Sequence, residues 1–339
     1  MKTIGIVTYY DAINEGAFLQ AYCLKKFLED NFDVKVYFVE NDKVNNLRLQ
    51  RQSLFYVKNP KALLNNMRRY FALRAAQQNF LPVQKCTGEI DAVIVGSDEM
   101  WNVGNTLFSS YNIDGGVSTG RKISYAVSMG NFSDKLPPKM VTELEGFSAL
   151  SVRDYNAQDV LKRSGIAEAH MHLDPVFLVD IPAQVPKKNV LPFLLVYGNI
   201  RKESNIRAIQ QFAREKGLKT VSVDICNKWC DMMVTAKSPF EFVGYIDAAD
   251  FIVTNMFHGT MLSIVRNRPF ISIQTQRRRK KIEYAAEKLV FSSRCVDESD
   301  FIDASIVQEE PLNYEYINSI IQEERKFAKS YFSKALELT

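Results

Sequence analysis

The 339-residue sequence contains no apolar run approaching the roughly 20 residues needed to cross a bilayer, so a membrane-spanning protein is not expected. Its opening, Met1-Lys2-Thr3-Ile4-Gly5-Ile6-Val7, carries no signal-peptide cleavage pattern and reads as a strand, which points to a cytoplasmic protein. Cysteines number five and are scattered. Cys226 and Cys230 are four apart, but no second pair or nearby histidine completes a zinc site. Reduced thiols and no metal centre follow. The two closely spaced histidines, His170 and His172, lack a carboxylate or cysteine at ligand spacing and read as structural. Strong net charge is missing as well. At 43 basic against 39 acidic residues the sum is +4, too small to call for a nucleic acid or other polyanion. There is no GxGxxG, internal repeat or low-complexity tract.

One local absence matters more. Between Lys43 and Gly88 there is no Asp or Glu, while nine Lys and Arg residues fall there, which leaves the rest of the chain at −5. Within this basic insert (about 43–88), residues 60–80 have helical period. Leu63, Leu64, Met67, Phe71 and Leu73 are set among Lys61, Arg68, Arg69 and Arg74. Such a stretch suits an anionic membrane surface, and equally a solvated helical insert.

With 46% hydrophobic and 24% charged residues, the chain can bury a full core, which excludes disulfide scaffolds and disordered proteins. Val- and Ile-rich runs at 4–9, 34–39, 92–95, 123–127, 150–152, 193–197, 220–223, 251–254 and 270–273 read as strands covered on both faces. Helical stretches at 17–30, 155–164, 204–216, 240–248 and 260–267 alternate with them. The expected fold is α/β, with two Rossmann-like parallel-sheet domains facing a cleft. Three prolines and two lysines between Asp180 and Pro192 suggest a linker. The expected division is 1–180, 190–310, and a C-terminal helix over 313–339.

Ligands of open parallel sheets bind where strands end and helices begin. Four strand ends carry chemistry. After the first, Asp11, Asn14, Glu15 and Gly16 make a polar loop that also serves to cap a helix. The second, Gly96-Ser97-Asp98-Glu99-Met100-Trp101-Asn102, sets an aromatic ring beside Asp98 and Asn102. That suits a sugar, although Trp101 in the core is the alternative. The third ends in Arg153, whose guanidinium can fork onto phosphate or simply pair with a carboxylate. The fourth runs Thr254-Asn255-Met256-Phe257-His258-Gly259-Thr260, with a histidine at a helix start where anions bind. Downstream, Arg277, Arg278, Arg279, Lys280 and Lys281 form a basic run, either a solvated face or an anion clamp.

In order along the chain, Asn14-Glu15-Gly16-Ala17, Gly96-Ser97-Asp98 with Trp101-Asn102, Ser151-Val152-Arg153-Asp154, Leu173-Asp174-Pro175 and Phe257-His258-Gly259-Thr260 resemble the polysaccharide pyruvyl transferase family. The resemblance runs over residues 4–290. It implies a fold similar to GT-B glycosyltransferases. It also implies transfer of a pyruvyl group from phosphoenolpyruvate to two hydroxyls of a sugar, giving a cyclic ketal and phosphate, with no obligatory cofactor. The sugar would belong to a surface polysaccharide or its lipid-linked precursor. His258 and Arg153 map onto the family's catalytic histidine and donor-holding arginine. Asn255, Phe257, Gly259, Thr260 and the 277–281 run fall on the donor side. The acceptor side comprises Asp11, Asn14, Glu15, Gly16, Ser97, Asp98, Trp101 and Asn102. Some members have an arginine two residues before the histidine; here it is Met256. Other functions compatible with the sequence are a nucleotide-sugar glycosyltransferase, with Asp297, Glu298 or Asp300 on the ribose, and a non-catalytic binding protein on the same fold.

Overall fold

A computed structural model describes residues 1–40, 60–85, 90–105, 108–109, 111–117, 120–166, 168–186, 192–299 and 311–338, apart from the side chains of residues 61, 276 and 277. Much of the basic insert and residues 187–191 and 300–310, where domain limits were expected, lie outside them.

The first half forms a five-stranded parallel sheet from β1 (Lys2–Val7), β2 (Val34–Val39), β3 (Val83–Gln84), β4 (Ala92–Val95) and β5 (Lys122–Ser124), in the order β3-β2-β1-β4-β5. Beyond its edge, β6 (Ser151–Val152) and β7 (His170–Met171) pair with each other. The second half forms a six-stranded sheet from β8 (Phe193–Tyr197), β9 (Lys219–Val223), β10 (Met232–Val234), β11 (Phe251–Thr254), β12 (Phe270–Gln274) and β13 (Cys295–Asp297), in the order β10-β9-β8-β11-β12-β13. Every pairing in both sheets is parallel. The chain leaves β1 to one side and returns on the other as β4; β8 and β11 repeat this in the second sheet. At such a reversal, neighbouring strand-to-helix loops diverge and leave a crevice.

The helices are α1 (Glu15–Asn31), α2 (Pro60–Phe80), α3 (Tyr111–Asp114), α4 (Pro138–Glu145), α5 (Tyr155–Arg163), α6 (Glu203–Glu215), α7 (Pro239–Ala248), α8 (Phe257–Val265), α9 (Gln276–Lys288) and α10 (Tyr314–Leu336). The central strands are fully buried, which is why they appear as unbroken apolar runs. The expected strand at 123–127 stops at Ser124, and Ala126 beyond it adopts a left-handed conformation (φ 49°). α8 starts three residues earlier than the pattern at 260–267 suggests, which brings His258 into its first turn.

One hydrophobic cluster runs through both halves. At its junction Phe240 of α7 packs on Phe18 and Tyr22 of α1 and Phe80 of α2, with ring centroids 5.9, 5.2 and 5.1 Å away. α10 ties the halves a second time. Its Tyr314 hydroxyl donates to the Arg268 carbonyl (2.6 Å), and its far end donates from Tyr331 to the Ser124 carbonyl (2.7 Å). Burial at these junctions fixes the two sheets against each other, so residues on facing loops hold defined distances.

α2 docks through Tyr70, Leu73 and Ala76, leaving Leu64, Met67, Arg68 and Phe71 outward. The basic face expected there is divided. Arg69 turns inward to Glu15, and Arg74 donates to Gln77 (2.8 Å). Among the described residues, no helix is long and apolar enough to cross a membrane.

Candidate active site

A cleft of about 310 Å³ lies between the ends of β1 and β4 on one side and of β8, β11 and β12 on the other. Asn14, Asp98, Glu99, Arg153 and Tyr9 line it from the first half. Asn255, Phe257, His258, Gln274, Arg278 and Lys281 line it from the second. The four strand-end motifs therefore meet in one place.

Arg153 is the hub of its charges. Although nearly buried, it donates from Nη1 to Asp174 Oδ2 (2.6 Å) and from Nη2 to Asp98 Oδ1 (3.0 Å). Its guanidinium carbon stands 4.3 Å above the Phe257 ring centre. Burial opposes its charge, but the two carboxylates more than restore it. Carboxylate pairing, one of the two roles open to Arg153, is thus present, and with Asp98 and Asp174 rather than Asp154. Asp154 instead caps α5, accepting from the Ala157 N–H (2.8 Å). Asp174 sits behind the site. Burial favours its neutral form, yet His258 and Arg153 hold its carboxyl down at about 2, so it is ionised at neutral pH.

His258 Nε2 is 3.7 Å from Asp174 Oδ2 and has no hydrogen-bond partner. Gly16 shapes the opposite side of the imidazole. A Cβ there would lie 2.3 Å from both Cγ and Nδ1, so only glycine lets the start of α1 close on the ring. The first turn of α8 has no side-chain cap. The N–H groups of Phe257, His258 and Gly259 precede its first intrahelical donor, Thr260, and form its positive end. Lys281 crosses the cleft to pair with Glu99, and Arg278 Nη1 donates to the Asn255 carbonyl (2.5 Å). Asn255 and Gln274 line the cleft, but their side-chain oxygens are buried and accept no hydrogen bond; a Cβ on Gly198 would lie 2.0 Å from Asn255 Oδ1.

Other expected residues sit elsewhere. Trp101 is fully buried and packs edge-on against Phe147, so its large apolar surface is spent in the core and it presents no face to a sugar. Glu15 is buried in a two-bond pair with Arg69 (2.5 and 2.6 Å) and accepts from the Tyr197 hydroxyl. Ser97 lies beneath the cleft, held by Gln20 (2.9 Å) and within 3.3 Å of Asp174 Oδ2. Thr260 is buried against Ser272 (2.5 Å), and Gly259 packs under Thr254. Asn102 donates to Glu99 (3.0 Å) and so orients a cleft residue without lining the cleft. Asp11, whose carboxyl burial pushes up, lies outside it, as do Arg279 and Lys280. The Arg277 side chain falls outside the described residues. Neither Asp297 nor Glu298 reaches the cleft, and Asp300 also lies outside the described residues.

Sequence reasoning missed Asp174, Glu99, Tyr9 and Gln274 as site residues. For Asp174 the available signal was an Asp-Pro start to a short helix, Pro175–Phe177, which it caps through Val176 N–H (3.2 Å).

The polysaccharide pyruvyl transferase family matches residues 14–277, most of the chain, from Asn14 through the motif of His258 to Arg277. The protein belongs to this family. Membership makes it an enzyme of polysaccharide biosynthesis and implies phosphoenolpyruvate as the pyruvyl donor. No curated protein matches it in sequence. In fold it is similar to a UDP-N-acetylglucosamine 2-epimerase (10% identity, 98% of this chain and 96% of the other, TM-score 0.51). It is also similar to the UDP-GlcNAc 2-epimerase from Neisseria meningitidis bound to UDP-GlcNAc (9% identity, 99% and 100%, TM-score 0.50). At such identities the likeness is one of architecture, and it places this pyruvyl transferase in the GT-B-like class.

Proposed function

We propose that this pyruvyl transferase joins the pyruvyl carbon of phosphoenolpyruvate to two hydroxyls of one sugar in a lipid-linked polysaccharide precursor, closing a cyclic ketal. The methylene carbon of the enol takes a proton from His258, which leaves C2 electrophilic. One sugar hydroxyl adds at C2 and gives up its proton. The C2–O bond to phosphate breaks, phosphate departs with the bridging oxygen, and the second hydroxyl closes the ring; one hydroxyl proton returns to His258 and the other leaves with phosphate. Atoms balance without a redox partner: donor plus diol gives ketal plus phosphate.

The observation that carries this reading is the position of His258. It stands in an uncapped first helical turn, backed by an ionised carboxylate and facing loops from both sheets. The free N–H groups of α8, with Arg278 and Lys281, form the donor side for carboxylate and phosphate. Arg153 is already held by two carboxylates, so its part is to keep Asp98 and Asp174 in place and to support the donor through the Phe257 face. Asn255 lines the cleft beside Phe257 and stays on the donor side. The outward stripe of Leu64, Met67, Arg68 and Phe71 is what α2 offers to an anionic membrane surface where such an acceptor resides.

Thermal-shift measurements with phosphoenolpyruvate and with UDP-N-acetylglucosamine test the donor. Stabilisation by phosphoenolpyruvate, lost in Lys281→Gln, is expected; stabilisation only by the nucleotide sugar would overturn the reading.

A further inference from the structure

A second and larger cavity, about 730 Å³, opens between α2 and the end of β10 with the start of α7. Like the first, it lies beside the carboxyl end of a parallel strand, and its volume is in the range of ligand sites. Its walls are largely apolar: Phe71 and Ala72 from α2, and Val234 and Tyr245 from the second half. Phe71 is 62% exposed, so one side of its ring is uncovered and faces solvent. Two cations, Arg68 and Lys237, stand on opposite walls, both exposed. Neither forms an ion pair among the described residues, in contrast to Arg69 of α2 and to Arg153 and Lys281 in the first cleft. The single carboxylate lining the cavity among the described residues, Glu241, is turned to the backbone N–H of Lys237. An apolar trough with two unpaired cations matches a molecule that joins an apolar chain to a phosphate.

We propose that this cavity binds the phosphate-bearing end of an apolar carrier chain, with Arg68 and Lys237 on the phosphate and Phe71, Val234 and Tyr245 along the chain. It lies close to the chemistry. Arg69, next to Arg68, holds Glu15, which accepts from Tyr197 in the wall of the catalytic cleft, and Gly16 beyond it packs on His258. A short chain of side-chain contacts thus joins this cavity to the catalytic cleft. Naming the occupant as the acceptor's carrier rests on the pyruvyl-transfer reading; the chemistry of the cavity does not.

The test uses the full chain and farnesyl diphosphate, with binding measured by titration calorimetry. Arg68→Gln and Lys237→Gln, both at exposed positions, are each expected to weaken binding about tenfold, since each removes one charge-assisted contact. Phe71→Asn weakens it as well, inorganic diphosphate binds far less tightly, and saturating phosphoenolpyruvate leaves the affinity unchanged. No binding by the wild type, equal affinity in the variants, equal binding of inorganic diphosphate, or displacement by phosphoenolpyruvate would each overturn the proposal. If these results hold while no phosphate is released from phosphoenolpyruvate, the pyruvyl-transfer reading fails and the carrier site stands.

Discussion

Gly16→Ala separates a structural glycine from a catalytic one by the sign of its effect. Gly16 is the second residue of α1, and in an ordinary helix alanine there would be more stable by about 1 kcal/mol. Here the added methyl would lie 2.3 Å from Cγ and Nδ1 of His258 and 2.5 Å from its Cβ. Carbon atoms pack at about 3.5–4.0 Å, so helix and ring must part by roughly 1 Å or more. Little slack exists, because Glu15 is fixed by Arg69 and Tyr197 and the ring is confined by Phe257 and Asp174. Forcing a methyl into such a site costs about 1–3 kcal/mol, which outweighs the helix gain and lowers Tm by a few degrees. A displacement of that size in a proton donor also lowers turnover by about 100-fold. Differential scanning fluorimetry and phosphate release read the two effects. A raised Tm with an unchanged rate would refute the close approach of α1 to His258.

Replacing Asp174 with Asn leaves the buried Arg153 with Asp98 as its one ion-pair partner, and about 3 kcal/mol of stability is expected to be lost at pH 7 in urea unfolding. Because the Asp174 carboxyl is depressed to about 2, its stabilisation is complete above the unfolded value near 4 and disappears as pH falls through 2. The gap between wild type and variant therefore narrows over that window; a constant gap contradicts the assignment. His172 is buried, aligned by Ser151 (2.8 Å) and stacked on Phe327, and burial pushes its imidazole down to about 3. Between pH 6.5 and 3 the unfolded chain holds a proton that the folded chain does not, so stability falls by up to about 1.4 kcal/mol per pH unit on acidification. His172→Gln removes that slope while costing stability at pH 7, and equal slopes in the two proteins would refute it.

Those residues also mark what could be read from the chain. β4, β8 and β11 are central strands covered on both faces, so they stand out as apolar runs, and the polar residues directly after them are where the cleft forms. β3, β7, β10 and β13 are two or three residues long, too short for any periodicity to register. A helix over 60–80 is visible in the spacing, but which face it buries depends on Glu15, a residue 54 positions earlier. Arg153 could be chosen by its place after a strand. Its partners could not, because Asp98 and Asp174 come from loops that meet only in the folded state. Trp101 misleads for a related reason: its polar neighbours suggest a surface, but the area of the indole decides its burial.

Ketal closure from phosphoenolpyruvate depends on His258 as the proton donor. The direct measurement incubates the wild type and His258→Gln with phosphoenolpyruvate and a panel of lipid-linked oligosaccharides, following free phosphate and product mass together. For the wild type, one phosphate is expected per acceptor consumed, with a product heavier by pyruvate less one water, and for the variant neither. Undiminished phosphate release by His258→Gln, or phosphate release without a heavier sugar, would contradict it.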